Sequence, residues 1–148
     1  MALASASLLA LAVQAGAIWS MANGTVEVGP RFSFSCMGGT CTRTGLSWLG
    51  ADESWSRAGS AMYVTGLVAA LALVMFGGAL AAGRKATWTA GLTITSTLTL
   101  VLASVAFIAR MPEMEGTSPG RGMLFLWLGV ALGLGAATFV LLRDRFVK

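Results

Sequence analysis

Charged positions divide this chain into long apolar stretches. No Asp, Glu, Lys or Arg occurs in 1–26, 58–83, 86–109 or 122–142. An α-helix rises about 1.5 Å per residue, so about 20 residues cross a hydrocarbon layer of about 30 Å. Each stretch meets that length. The pattern predicts four membrane-spanning helices at 2–22, 58–83, 87–109 and 122–142. Between them fall a polar segment at 23–57, a short basic link at 84–86, a loop at 110–121 punctuated by Pro and Gly, and a tail at 143–148. The expected fold class is an all-α membrane protein, a four-helix transmembrane bundle forming a single domain over 1–148. An apolar amino-terminal run also fits a cleaved leader, and "QAGA" at 14–17 carries small residues of the right kind. The missing basic start and the apolar continuation through Trp19 and Met21 favour a retained helix.

Within 23–57 the period of the pattern changes. "RFSFSC" at 31–36 alternates apolar and polar residues, and "CTRTGLSWL" at 41–49 is rich in Thr. Two such runs around Met37, Gly38, Gly39 and Thr40 predict a β-hairpin with a four-residue loop in the first outer segment. Cys36 and Cys41 would then face each other across the first pair of the ladder, close enough to bond. Four readings of the pair stand side by side. A small outer sheet has little core of its own, so a structural disulfide would staple it. A redox pair more often has two intervening residues and a lowered thiol pKa. A zinc site needs four ligands, and the chain has 2 Cys and 0 His. Free thiols are the fourth reading.

Composition supports the membrane reading. Hydrophobic residues make up 56% of the 148 and charged residues 11%, against about 25% charged in soluble domains. The pI of about 9.8 does not point to nucleic acid, because no basic stripe with interleaved aromatics is present. Basic residues instead flank the apolar stretches. With the amino terminus inside, Arg84, Lys85, Arg143, Arg145 and Lys148 lie on the inner side. Arg31, Arg43, Arg57, Arg110 and Arg121 lie on the outer side. The totals tie, but the inner residues are packed into short segments. That density, and the need of a disulfide for an oxidising face, place both termini in the cytoplasm of a plasma membrane or bacterial inner membrane.

The predicted spans hold no ionisable residue, which argues against proton relays, coupled transport and voltage sensing. The lack of His removes the commonest haem ligand, and no cofactor is expected. Gln14 is the one strongly polar amide in a predicted span and is expected to bond a neighbouring helix. Gly129 and Gly133 are four apart in the fourth span, with Gly135 beyond. That spacing lets two backbones approach, either within this protein or between copies. Thr89, Thr93 and Thr97 share one face of the third span. They would either line a polar path or make interhelical hydrogen bonds worth about 0.6 kcal/mol each, with other Thr hydroxyls bonding back one turn. Asn23–Gly24–Thr25 fits a glycosylation sequon but lies almost against the membrane. Glu113 and Glu115 read as solvated loop residues. Met37, Trp48 and Trp55 are candidate partner contacts, or else pack on the helix ends.

Four spans with both ends inside, a first outer loop with one cysteine pair and aromatics, and a short second outer loop resemble the claudin and peripheral myelin protein superfamily. Arg57 in "SRAGSAMYVTGLVAALALV", the third span "KATWTAGLTITSTLTLVLAS" and the Gly/Trp-rich "SPGRGMLFLWLGVALGLGAA" add to the likeness. The family signature places Trp and Gly-Leu-Trp before two more widely spaced cysteines. Here Gly45-Leu46-Ser47-Trp48 follows the pair. The resemblance implies a left-handed four-helix bundle, an extracellular β-sheet packed on it, and lateral assembly or cell contact. Pore function is not carried over, because the loop residues do not align. The expected function is therefore non-enzymatic association in the lipid bilayer, either claudin-like self-association or service as an accessory subunit of a larger membrane complex, with no nucleic acid or metal partner. The alternatives are a membrane thiol-disulfide oxidoreductase cycling Cys36 and Cys41 with a quinone, and a small channel.

Overall fold

A computed structural model describes residues 1–14, 17–21, 25–37, 39–50, 52–112 and 116–146 of the chain, apart from the side chains of Met37, Trp48 and Arg145. Its elements run α1 (Ala2–Gln14), β1 (Trp19–Met21), β2 (Val26–Val28), β3 (Phe32–Met37), β4 (Thr40–Gly45), a 3-10 turn (Leu46–Leu49), α2 (Glu53–Ala81), α3 (Thr87–Ala109), β5 (Ser118–Pro119) and α4 (Arg121–Phe146).

Local chemistry sets the helix ends. Asp52 caps α2, its carboxylate accepting the backbone N–H of Trp55 at 2.7 Å, so one orphan donor of the first turn is satisfied. The α2 carboxyl end closes on Gly83, whose φ of 64° suits a residue without Cβ. There the Gly83 N–H donates to the Leu80 carbonyl and the Arg84 N–H to the Ala79 carbonyl. The helix therefore stops where the basic link begins. Three helices, Glu53–Ala81, Thr87–Ala109 and Arg121–Asp144, are long and apolar enough to cross a membrane. Their outward faces carry large exposed apolar side chains, among them Leu71, Val74, Leu102, Leu124 and Phe139. A soluble monomer rarely exposes so much contiguous apolar surface.

The helices pack α1 on α2, α2 on α3, α3 on α4 and α4 on α1. Neighbours run antiparallel. Val13 meets Gly66 while Ala2 meets Gly77, and Leu9 meets Gly129 while Ser5 meets Gly133. Lipid tails are as apolar as these side chains, so close backbone approach and buried hydrogen bonds hold such contacts more than water exclusion does. Ser5 is fully buried, and its Oγ donates to the Gly129 carbonyl at 2.6 Å.

The first helix differs from the expected 2–22 span. It closes at Gln14 after 13 residues, a rise of about 20 Å, and the chain re-forms as strand at Trp19. Ile18 and Val28 are fully buried and bonded through their backbones. They are apolar because they lie in the buried part of the sheet, Val28 within β2 and Ile18 just before β1, and apolarity alone does not separate a buried strand from a helix. Gln14 accordingly sits exposed at the end of α1 and not in mid-span.

The sheet is antiparallel throughout, in the order β4-β3-β2-β1-β5. It reaches beyond the first outer loop, because β5 comes from the segment between α3 and α4. Pro119 sits on this edge strand, paired with Trp19, where its missing N–H is tolerated. The β3–β4 turn is tighter than the expected four-residue loop. Met37 pairs with Thr40, so the cysteines form the second pair of the ladder.

Candidate functional site

Two elements fix the sheet to the helix ends. Ile18, Val28 and Leu46 join Trp55, Phe107 and Leu126 in one continuous core. Gly59 in α2 lies so near the Pro30 carbonyl that a Cβ there would overlap it, and Gly120 stands in the same relation to the Ala17 carbonyl. The Gly120 and Gly122 N–H groups donate to the Ile18 and Ala17 carbonyls, each at 2.8 Å. Arg121, at the start of α4, pairs with Glu27 of β2 at 3.2 Å. The two loops therefore form one body over the helices.

The far side of the sheet has no such floor. Every residue of β4 is exposed, and so is Cys36. The Cys36 N–H donates to the Thr25 carbonyl at 2.8 Å, which turns it away from Cys41. The cysteines are thus a non-hydrogen-bonded pair, the kind that brings Cα atoms closest. Their Cα separation is 4.1 Å and their sulfurs are bonded. The bond closes the strands where little core lies beneath them.

A row of cations and rings lies on the same face as the disulfide. Phe32, Phe34 and Cys36 alternate along β3, with Arg43 and Cys41 opposite the last two. The Arg43 guanidinium sits 3.6 Å from the Phe32 ring centre and 5.7 Å from that of Phe34. Arg31 lies 5.5 Å from Phe32 and 5.0 Å from Tyr63 of α2. Exposed contacts of this type contribute about 0.5–1 kcal/mol each. The guanidinium planes cover the rings while keeping their charge toward solvent. Among the described residues, neither arginine pairs with a carboxylate, whereas Arg57 pairs with Glu53 and Arg121 with Glu27. Among the described residues, the face is therefore a cationic surface with an aromatic base and no carboxylate against it. On the opposite face Ser33, paired with the core residue Val28, is fully buried, and its Oγ meets the Thr44 Oγ1 at 3.1 Å.

The sequence candidates fall in different places. Of the two roles expected for Trp55, the structure shows packing on the helix ends and not an exposed partner contact. It is fully buried, its ring stacks on Phe107 at 5.3 Å, and its Nε1 donates to the Phe107 carbonyl at 3.1 Å. It fastens the start of α2 to the end of α3. The side chains of Met37 and Trp48 lie outside the described residues, as do Asn23, Gly24, Glu113 and Glu115. Gly129 and Gly133 face α1 and Leu73. On α3, Thr93 Oγ1 donates to the Ala72 carbonyl of α2 at 3.3 Å. Thr97 is equally buried, but its hydroxyl has no partner among the described residues. Thr89 bonds the Ala86 carbonyl in its own chain segment, and Thr95 and Thr99 bond back one turn. Gln14 shows no interhelical bond among the described residues.

Arg31, Arg43, Phe32, Phe34 and Tyr63 are the functional candidates that sequence reasoning passed over. The alternation in "RFSFSC" carried part of the signal, but pairing with Arg43 and Tyr63 depends on register. Among the described residues, no three of His, Cys, Asp and Glu gather in a metal-binding group. The Asp52 carboxyl is displaced from its ordinary pKa. The Trp55 N–H, then the Ser54 hydroxyl and, more weakly, Arg110 hold its carboxyl below the ordinary value of 3.8. This is a cap and offers no acid–base chemistry. No protein-family model matches the chain. No curated protein matches it in sequence.

Proposed function

We propose that the chain is a non-enzymatic integral membrane protein that acts by association through its sheet. Three long apolar helices cross the bilayer and the shorter α1 completes the bundle among them, with both termini cytoplasmic, in a plasma membrane or bacterial inner membrane, and the disulfide-closed sheet faces the oxidising side. The observation that carries this reading is the asymmetry of the sheet. One side is anchored to the helix ends by glycine contacts and a shared core. The other offers an exposed β4 edge and an arginine–aromatic face that meets no carboxylate among the described residues. A rigid, charged platform held outside the bilayer suits lateral or cell-contact association, claudin-like or as an accessory subunit of a larger complex.

Purified protein tests this in two arms. Sedimentation in mild detergent reads lateral assembly or a stoichiometric subunit complex, and clustering of proteoliposomes reads contact between membranes. Assembly in either arm, weakened at least about tenfold by Arg31→Glu with Arg43→Glu, agrees with the proposal. A monomer in both arms, indifferent to the substitutions, contradicts it.

The solvent exposure of both cysteines favours one second reading, a quinone-linked thiol-disulfide oxidoreductase. The potential separates the two. A scaffold disulfide titrates below about −300 mV, and a catalytic one is markedly more oxidising.

A further inference from the structure

We propose that the end of the protein opposite the sheet holds one anionic phospholipid. The start of an acyl chain lies in a groove between α1, α2 and α4, and the phosphate lies on Arg84, Lys85 and Arg143. The inference goes beyond association through the sheet and rests on the proposed reading that the helices cross a bilayer with this end on the cytoplasmic side.

Two adjoining cavities carry it. The first, about 670 Å³, is almost wholly apolar, with Ala2, Phe76, Leu80, Phe139 and Val140 in its walls and Arg143 at its rim. The second, about 190 Å³, is mainly polar and is formed by the basic link between α2 and α3, with Arg84 and Lys85, against Arg143 and Asp144. An apolar groove along the helices thus borders a basic pocket at their ends, with Leu80, Val140 and Arg143 lining both.

The charges suit an anion. Arg84, Lys85 and Arg143 face the pocket with Asp144 as the one carboxylate lining it. That carboxylate is shared, with its Oδ1 3.8 Å from Arg143 and its Oδ2 accepting the Thr87 hydroxyl at 3.3 Å. Two positive charges remain. Basic pockets between helix ends on the cytoplasmic side recognise anionic headgroups, and each basic residue near the surface adds attraction. The groove suits a chain for a separate reason. It opens sideways among residues that face lipid, Phe139 being 67% exposed and Leu142 48%. A membrane lipid joins a phosphate to an acyl chain in one molecule and so suits a basic pocket that adjoins an apolar groove. A soluble anion would fill only the small pocket.

Gly135 makes the groove testable. It lines the cavity, and a Cβ added there meets nothing within 4 Å. A leucine at this position therefore occupies the groove without displacing a helix. The measurement is native mass spectrometry of the detergent-purified protein with phosphatidylglycerol, phosphatidylcholine or inorganic phosphate, with thermal midpoints in parallel. The wild type should retain one phosphatidylglycerol and prefer it to phosphatidylcholine at least about tenfold. Gly135→Leu should lower retention of the lipid, and Arg84→Gln/Lys85→Gln/Arg143→Gln should abolish the preference. Arg57→Gln, at the sheet end, should change neither. Equal retention of the two lipids overturns the proposal. So does a phosphate-induced midpoint shift as large as that from phosphatidylglycerol, or an equal loss in Arg57→Gln. If the triple variant does not fold, Gly135→Leu decides alone: unchanged retention overturns the proposal. Release of the wild type from membranes by alkaline carbonate would instead refute the bilayer reading itself, a result separate from any lipid preference.

Discussion

Single residues here differ in ways their types do not reveal. Thr93 and Thr97 lie one turn apart on α3 and are both fully buried, yet only Thr93 donates to a neighbouring helix. A buried hydroxyl without a partner is a cost, while a bonded one contributes a few tenths of a kcal/mol in a membrane. Thr93→Val should therefore lower the unfolding midpoint in detergent, and Thr97→Val should leave it unchanged or raise it. Asp52 gives a prediction with a pH sign. Its folded pKa is depressed by the Trp55 N–H and the Ser54 hydroxyl. The ionised cap thus stabilises fully above the ordinary carboxylate value near 3.8, and its contribution is lost as pH falls through the lower folded value. Thermal melts should show Asp52→Ala less stable than wild type at neutral pH, with the gap closing in strong acid. Asp52→Asn should keep most of the cap and flatten that acid dependence.

Elements divide by how local their causes are. The helices at Glu53–Ala81, Thr87–Ala109 and Arg121–Phe146 follow from uninterrupted apolar runs and were legible, although Asp52 starts α2 before the charge-free stretch begins. The turn at Gly39, with φ of 83°, was legible from its glycines. The end of α1 was not, because a buried Ile18 just before β1 and a leucine in lipid are equally apolar. Strand β5 was hidden for another reason. Two residues, one of them Pro119, become strand only because Trp19 and Ser20 lie alongside, and that pairing spans most of the chain. Glycine spacing likewise left open which neighbour it serves. Gly129 faces Leu9, with 2.7 Å from an added Cβ to the leucine Cδ2. Gly129→Leu should thus separate α4 from α1 and destabilise by about 1–3 kcal/mol. Gly135→Leu, just past the middle of the same helix but facing open space, should melt close to wild type in delipidated detergent.

At the scale of the whole molecule, the account has two unlike ends joined by apolar helices. One end is a five-stranded sheet with a bonded Cys36–Cys41 pair and exposed arginines. The other is a basic link and pocket beside an apolar groove. Composition made the membrane setting legible, whereas the tie between inner and outer basic residues left orientation to the chemistry of the disulfide. The most direct test is labelling of intact cells with a membrane-impermeant maleimide. Ser118→Cys reports the exposed β5 edge and Lys85→Cys the opposite turn, with the bonded wild-type pair as the unreactive control. The account predicts that Ser118→Cys reacts in intact cells and Lys85→Cys only after lysis. Labelling of Lys85→Cys in intact cells while Ser118→Cys stays protected until lysis would contradict it.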